Sequence, residues 1–89
     1  MANVDPTLQA RFEAAVEQSK NLAERPDSAT LLKLYALFKQ GSEGDVTGEK
    51  PGAMDFVGAA KWVARDALRG TPPAAAMQSY IALVEELQG

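Results

Sequence analysis

The sequence predicts an all-α fold, and two features of its patterning indicate this class. Apolar residues recur at spacings of three and four along four segments, as they do in amphipathic helices. No segment shows the alternation of apolar and polar residues that is typical of a half-buried strand. The chain has 89 residues, 46% of them hydrophobic and 24% charged, which fits one globular domain over residues 1–89. We therefore expect a four-helix domain with one long connection.

The first helix is expected to begin at Asp5 and Pro6, because Asp accepts capping hydrogen bonds and Pro suits the first turn. Pro26 is expected to end it, since Pro cannot continue a helix. The apolar stripe between them consists of Leu8, Phe12, Ala15, Val16, Ser19, Leu22 and Ala23.

The second helix is expected to be capped by Asp27 and Ser28 and to stop at Gly41 and Gly44. Its apolar positions are Leu31, Leu32, Leu34, Tyr35, Leu37 and Phe38. On a helical wheel they cover an arc of roughly 220°, whereas a surface helix needs only about 100° to meet a core. Leu32, Tyr35 and Lys39 are therefore predicted to line a second surface.

The connection GSEGDVTGEKPGAMD follows, and loops of this length are usually functional or flexible. Asp55 is predicted to cap a third helix that ends at Gly70, and Thr71 and Pro72 to begin a fourth. The third helix is expected to share one apolar face among Phe56, Ala60, Val63, Ala64, Ala67 and Leu68, with Trp62 pointing away from its centre. The fourth has the stripe Met77, Tyr80, Ile81, Val84 and Leu87.

The composition argues against several classes of function. The chain has no Cys and no His, so thiolate chemistry is absent and the commonest general base and transition-metal ligand are missing. A net charge of −3 argues against nucleic acid as a partner. No apolar run approaches the roughly 18 residues of a membrane span, and Met1–Leu8 lacks the pattern of a signal peptide. We expect a cytoplasmic protein with no metal, no cofactor and no stable membrane insertion.

Three lysines lie at the margins of apolar stripes and are candidates for binding an anion. Lys20 borders Val16, Lys39 borders the stripe of the second helix, and Lys61 borders that of the third. The alternative is that each buries its aliphatic stem and leaves its ammonium in water. Tyr35 and Tyr80 are each compatible with core packing and with ligand contact. Periodicity does not decide between these interpretations.

The order of motifs in residues 34–70 resembles the acyl-CoA-binding protein family. The segment reads LYALFKQGSEGDVTGEKPGAMDFVGAAKWVARDALRG. It contains a Tyr-x-x-aromatic-Lys-Gln helix end, a Gly-Asp loop, Pro-Gly-x-x-Asp-Phe and then Lys-Trp. Phe12 and Leu22 before Pro26, and Tyr80 and Val84 near the end, also match the family, so the resemblance spans nearly the whole chain.

The resemblance implies an up-down-down-up four-helix bundle that holds a long-chain acyl-CoA ester noncovalently, without catalysis. It implies that Tyr35, Lys39 and Lys61 grip the 3′-phosphate of the nucleotide. Tyr80 is expected near the adenine, with Lys20 and the ring of Phe38 close to the ligand. An apolar groove for the acyl chain is implied at Val16, Leu31 and Leu32. The expected protein is a monomeric carrier that meets acyl-CoA-using enzymes and membrane donors only transiently.

Several positions depart from the family pattern. Phe38 stands where Tyr is common, so a hydroxyl is missing while ring packing is retained. Val57 stands where Lys is frequent, which removes a cation, and Arg65 replaces a second Trp. Gly41 follows Gln40 where Ala is frequent, and Arg25 keeps a positive charge where Lys is common.

Two hypotheses of other classes remain open. The wide apolar face of the second helix is also typical of a helical protein–protein interaction module that keeps the scaffold but not the ligand. An enzyme based on Asp45, Glu49 and Asp55 around the long loop is the other hypothesis. Acids in Gly-rich loops are more often turn and cap residues, and no nucleophile with a partner base is recognisable.

Overall fold

A computed structural model describes residues 6–89 and contains four helices. They are α1 (Pro6–Ser19), α2 (Ser28–Glu43), α3 (Phe56–Asp66) and α4 (Pro73–Gln88). No strand occurs within that range, and the prediction of an all-α, four-helix fold is confirmed. The expected cap at Asp5 lies outside the described residues. At the start of α2, the Asp27 carboxylate accepts a hydrogen bond from the Thr30 N–H at 2.8 Å, and at the start of α3 Asp55 accepts one from Gly58.

The core forms where α4 packs against both α1 and α2, while α3 packs only against α2. The ring of Phe12 on α1 stacks on Phe38 of α2 at 6.0 Å between centroids, and meets Tyr80 of α4 edge-on at 5.2 Å. The buried cluster around these rings contains Leu8, Ala15, Leu34, Leu37, Ala76, Met77, Ile81 and Val84. The stripe predicted for the fourth helix therefore faces the core, and so do Leu34, Leu37 and Phe38 of the second helix.

Helix α1 is shorter than the sequence predicted. It ends at Ser19 rather than near Pro26, so Leu22 and Ala23 follow the helix instead of extending its stripe. The N–H groups of Lys20 and Asn21 bond to the carbonyls three residues earlier, and the Ser19 hydroxyl donates to the Val16 carbonyl at 2.7 Å. These bonds satisfy the last carbonyls of the helix and tighten its final turn.

Gly41 does not stop α2, contrary to the sequence prediction. The helix passes through it and ends at Glu43, followed by the cap residue Gly44, whose φ of 86° favours glycine. A Cβ at Gly41 would lie 3.1 Å from Cγ of Met77 and 3.3 Å from Cζ of Phe12. The missing side chain thus permits close contact of α2 with α1 and α4.

The apolar face predicted for the third helix is confirmed only in part, since Ala60, Ala64 and Leu68 are half-buried whereas the other three residues are exposed. Phe56 is 78% exposed, Val63 is also exposed and Trp62 is half-buried instead of pointing away, while no residue of α3 is fully buried. The helix ends at Asp66, ahead of Ala67 and Leu68. Because α3 contacts only α2, most of its circumference meets no neighbouring helix.

The long connection is fixed to the bundle at Asp45. Its carboxylate accepts hydrogen bonds from Gln40 Nε2 at 2.8 Å and from the Gly70 N–H at 2.9 Å. Gln40 is only 1% exposed and also donates to the carbonyl of Thr71 at 2.8 Å. Val46, the residue after Asp45, is buried. The end of α2, the loop and the turn before α4 are thereby joined, which explains Asp45 as a structural carboxylate.

Candidate ligand-binding site

Two adjoining clefts lie along α2 and share Leu31 and Tyr35. The first, which we call the aromatic hollow, has a volume of about 300 Å³ and is lined by Val16, Ser19, Pro26, Leu31, Leu34, Tyr35, Phe38 and Tyr80. The second, the α2–α3 cleft, measures about 490 Å³ and is lined by Arg25, Ser28, Leu31, Leu32, Tyr35, Phe56, Val57, Ala60 and Lys61. Their common wall makes one surface on which an elongated ligand can contact both.

Tyr80 and Phe38 shape the aromatic hollow. Tyr80 is 4% exposed, and its hydroxyl donates to the Ser19 oxygen at 3.1 Å. This hydrogen bond joins α4 to the last residue of α1. The Phe38 centroid lies 6.4 Å from that of Tyr80. The hollow therefore offers π faces and few polar groups, a surface suited to a flat aromatic ring.

Lys61 and Tyr35 meet across the α2–α3 cleft. The ammonium nitrogen of Lys61 lies 5.1 Å from the centroid of the Tyr35 ring, within the range of a cation–π contact. Lys61 comes from α3 and Tyr35 from α2, so the pair exists only because these helices pack together. Each places a polar group beside an apolar cleft, which is the arrangement that an amphiphilic anion requires.

Lys39 is held at the end of α2 by an ion pair. Its Nζ lies 3.0 Å from a carboxylate oxygen of Glu43 and 5.9 Å from the centroid of Phe38. The hydrogen bond and positive charge of Lys39 hold the pKa of Glu43 below its usual value, with a smaller effect from Arg65. The Lys39 side chain is 29% exposed and lines neither of the two clefts.

Lys20 lies beside a hollow that shares Ser19, Pro26 and Leu31 with the aromatic hollow. This third hollow has a volume of about 260 Å³ and is lined by Ser19, Lys20, Leu22, Glu24, Arg25, Pro26 and Leu31. The Nζ of Lys20 is 3.0 Å from a carboxylate oxygen of Glu17. None of the three clefts is lined by more than one of the lysines Lys20, Lys39 and Lys61.

The three residues expected to form an acyl groove divide between the two clefts. Leu32 lines the α2–α3 cleft, Val16 lines the aromatic hollow, and Leu31 lines both.

Sequence reasoning did not count five lining residues of the α2–α3 cleft among the site residues: Arg25, Ser28, Phe56, Val57 and Ala60. The helical wheel assigned Phe56 and Ala60 to the core stripe of the third helix, although Phe56 is exposed and Ala60 half-buried. The signal that was available is the wide apolar arc of α2, since a second apolar surface on one helix requires apolar residues opposite it.

The α2–α3 cleft has two cations in its lining, Arg25 and Lys61, and no carboxylate. Within residues 6–89, no group of three or more His, Cys, Asp or Glu side chains is placed to hold a metal ion. None of the four helices is long and apolar enough to cross a membrane. The geometry thus provides apolar walls and positive charges for noncovalent contacts.

Known proteins are similar to this chain in sequence and fold over most of its length. The model of the family described as "Acyl CoA binding protein" matches residues 9–84. Acyl-CoA-binding protein homolog 1 of Caenorhabditis elegans is 50% identical over 76 residues, covering 85% of this chain and 88% of that protein. The acyl-CoA-binding protein homolog of Drosophila melanogaster is 48% identical over 77 residues, covering 86% and 90%.

The crystal structure of acyl-CoA-binding protein 2 of Oryza sativa superposes with a TM-score of 0.85 at 36% identity, covering 90% of this chain and 89% of that one. The family resemblance of the motifs in residues 34–70 is therefore confirmed. With a family match over residues 9–84 and close relatives covered almost end to end, the chain belongs to the acyl-CoA-binding protein family.

Proposed function

We propose that the protein binds long-chain fatty acyl-CoA esters noncovalently and carries them between the membranes and enzymes that supply and use them. The observation that carries this proposal is the pair of adjoining clefts on α2, one rich in aromatic rings and the other largely apolar with a cationic margin. A ligand with a nucleotide at one end and an alkyl chain at the other has the matching distribution of chemistry. Membership of the family supports the same ligand.

The nucleotide is proposed to occupy the aromatic hollow and its margins. The adenine lies near Tyr80 and Phe38, with Lys20 on the adjacent rim. Tyr35 and Lys61 contact the 3′-phosphate, because a hydroxyl and an ammonium group both donate to phosphate oxygens. Lys39 is the third phosphate contact, and to reach it the ammonium group exchanges its hydrogen bond with Glu43 for one with the ligand.

The acyl chain is proposed to lie in the α2–α3 cleft against Leu31 and Leu32, with Phe56 on the facing helix. Val16 lines the aromatic hollow and not this cleft, so it is proposed to contact the acyl chain only where the two clefts adjoin. Each buried methylene contributes about 0.8 kcal/mol, so shortening the chain by two buried carbons weakens binding by roughly tenfold. Affinity is therefore expected to rise with chain length until the cleft is filled.

We propose a binding role without catalysis, since no residue pair at the clefts combines a nucleophile with a general base. The proposed carrier is a monomeric cytosolic protein, and its contacts with enzymes and donor membranes are transient.

The test is isothermal titration calorimetry with palmitoyl-CoA, free CoA and palmitate in parallel, at concentrations below micelle formation. We expect one-to-one binding of the thioester that is far tighter than that of either half, because only the thioester fills both clefts. If palmitoyl-CoA gives no heat and does not compete with a fluorescent acyl-CoA, the carrier function is wrong. The alternative, a helical interaction module on the same scaffold, would then be preferred.

A further inference from the structure

We propose that Arg25 binds the diphosphate of the CoA moiety, a contact that none of the matched motifs assigns. The inference rests on the proposed function and adds a residue that orients the ligand between the two clefts. It arises from the placement of Arg25 in the connection between α1 and α2.

Residues 25–26 lie at the junction of the three clefts. Arg25 lines the α2–α3 cleft together with Lys61, and it also lines the third hollow together with Lys20. The next residue, Pro26, lines the aromatic hollow. Segment 25–26 therefore borders the region where a ligand must pass from the aromatic hollow into the α2–α3 cleft.

The guanidinium of Arg25 is available for a ligand. Within residues 6–89, Arg25 makes no hydrogen bond and no ion pair, although it is exposed beside Glu24 in the third hollow. By contrast, Lys20, Lys39, Arg65 and Arg69 each lie within 4.0 Å of a carboxylate oxygen. A phosphate group that contacts Arg25 therefore displaces no internal ion pair among the described residues.

The covalent order of an acyl-CoA ester places its diphosphate at this junction. The diphosphate links the nucleotide to pantetheine, and pantetheine leads to the thioester and the alkyl chain. With the base at Tyr80 and the chain at Leu32, the diphosphate crosses the wall formed by Leu31 and Tyr35. A planar guanidinium can donate two parallel hydrogen bonds to phosphate oxygens there, a geometry that an ammonium group does not provide.

The experiment compares Arg25→Met with Arg11→Met, each against dodecanoyl-CoA and dodecanoyl-dephospho-CoA. Methionine keeps an unbranched apolar stem and removes the cation. Arg11 is an exposed arginine of α1 that lines none of the three clefts, so its variant matches the change in net charge. We expect Arg25→Met to weaken the binding of both ligands by about tenfold at low salt and by a smaller factor at high salt. Arg11→Met is expected to leave both affinities unchanged.

Each result bears directly on the assignment. A loss seen with dodecanoyl-CoA but not with its dephospho analogue would assign Arg25 to the 3′-phosphate and overturn the proposal. Equal affinities of wild type and Arg25→Met would also overturn it while leaving the carrier function intact. Absence of binding by the wild type would overturn both. Thermal unfolding of the variants establishes that each is folded.

Discussion

At the scale of single residues, the three candidate lysines have different surroundings. Lys61 contacts the face of Tyr35, whereas Lys20 and Lys39 are each paired with a glutamate on their own helix or turn. The sequence placed all three at the edge of an apolar stripe. The glutamates one turn from Lys20 and Lys39 are local in sequence, whereas the Tyr35 partner of Lys61 comes from another helix. Their partners depend on which side chains lie one turn away and which helix packs opposite.

Replacing Lys61 or Lys39 by Ala is expected to weaken binding of palmitoyl-CoA by about tenfold with little change in unfolding temperature. The physical reason is the loss of one charge-assisted hydrogen bond to phosphate at a position near the solvent. Calorimetric titration and thermal unfolding check the two halves of this expectation. Lys33→Ala is the control, because Lys33 is an exposed cation of α2 that lines none of the three clefts. Unchanged affinity in both Lys39→Ala and Lys61→Ala would contradict the phosphate contacts.

At the scale of elements, the wide apolar arc of α2 has a structural explanation. The helix packs against α4 with Leu34 and Leu37 in the core, and against α3 on another side, where Leu32 lines the cleft. The sequence placed Leu32 and Tyr35 on this second surface correctly, whereas Lys39, predicted with them, lines neither cleft. The sequence predicted the apolar face of α3 only in part, because α3 has only 11 residues and touches one neighbouring helix, so its apolar positions are not all buried.

Two Phe→Ala substitutions separate packing from ligand contact. Phe12 is 3% exposed and touches the rings of Phe38 and Tyr80, so Phe12→Ala is expected to lower the free energy of unfolding by about 3 to 5 kcal/mol. Phe56→Ala removes the same ring at an exposed site that lines the α2–α3 cleft, and it is expected to weaken acyl-CoA binding with little loss of stability. Urea unfolding and titration of both variants test the contrast, and similar stability losses in the two would refute it.

At the scale of the whole molecule, the bundle is a thin layer whose principal extents are 39 × 37 × 15 Å. In so thin a protein few side chains are fully buried, and contacts between distant segments help to fix the fold. Asp45 is such a contact, since it joins the end of α2 to the turn before α4. Hydrogen bonds from Gln40 and then Gly70 hold its pKa below the ordinary value of 3.8.

The lowered pKa values predict how stability depends on pH. The pKa of Asp27 is lowered mainly by the Thr30 N–H, that of Glu43 by Lys39, and that of Asp45 by Gln40. These three carboxylates therefore bind protons less tightly in the folded state than in the unfolded chain. Their stabilisation is complete above the ordinary pKa values of 3.8 and 4.5, and it is lost as the pH falls through the folded-state values.

Asp45→Asn is expected to lower the unfolding temperature at neutral pH and to reduce its decline in acid. Thermal unfolding followed between neutral and acidic pH measures both effects. Glu49→Gln serves as the control, because Glu49 is an exposed carboxylate of the same loop that makes no hydrogen bond or ion pair with residues 6–89. If the unfolding temperature of Asp45→Asn falls in acid as steeply as that of the wild type, Asp45 does not contribute to the pH dependence of stability.

The sequence by itself determined the number of helices, the caps at Asp27 and Asp55, the core stripe of α4 and the family, because periodicity, capping chemistry and ordered motifs are local properties of the chain. Only the tertiary structure decided where α1 ends, how α3 is rotated, and that Arg25 borders the same cleft as Lys61. It also showed that α2 continues through Gly41, where the absence of a side chain lets Phe12 and Met77 approach. These features depend on which surfaces of different helices are in contact. The periodicity of apolar residues within one segment does not show which distant segment packs against it.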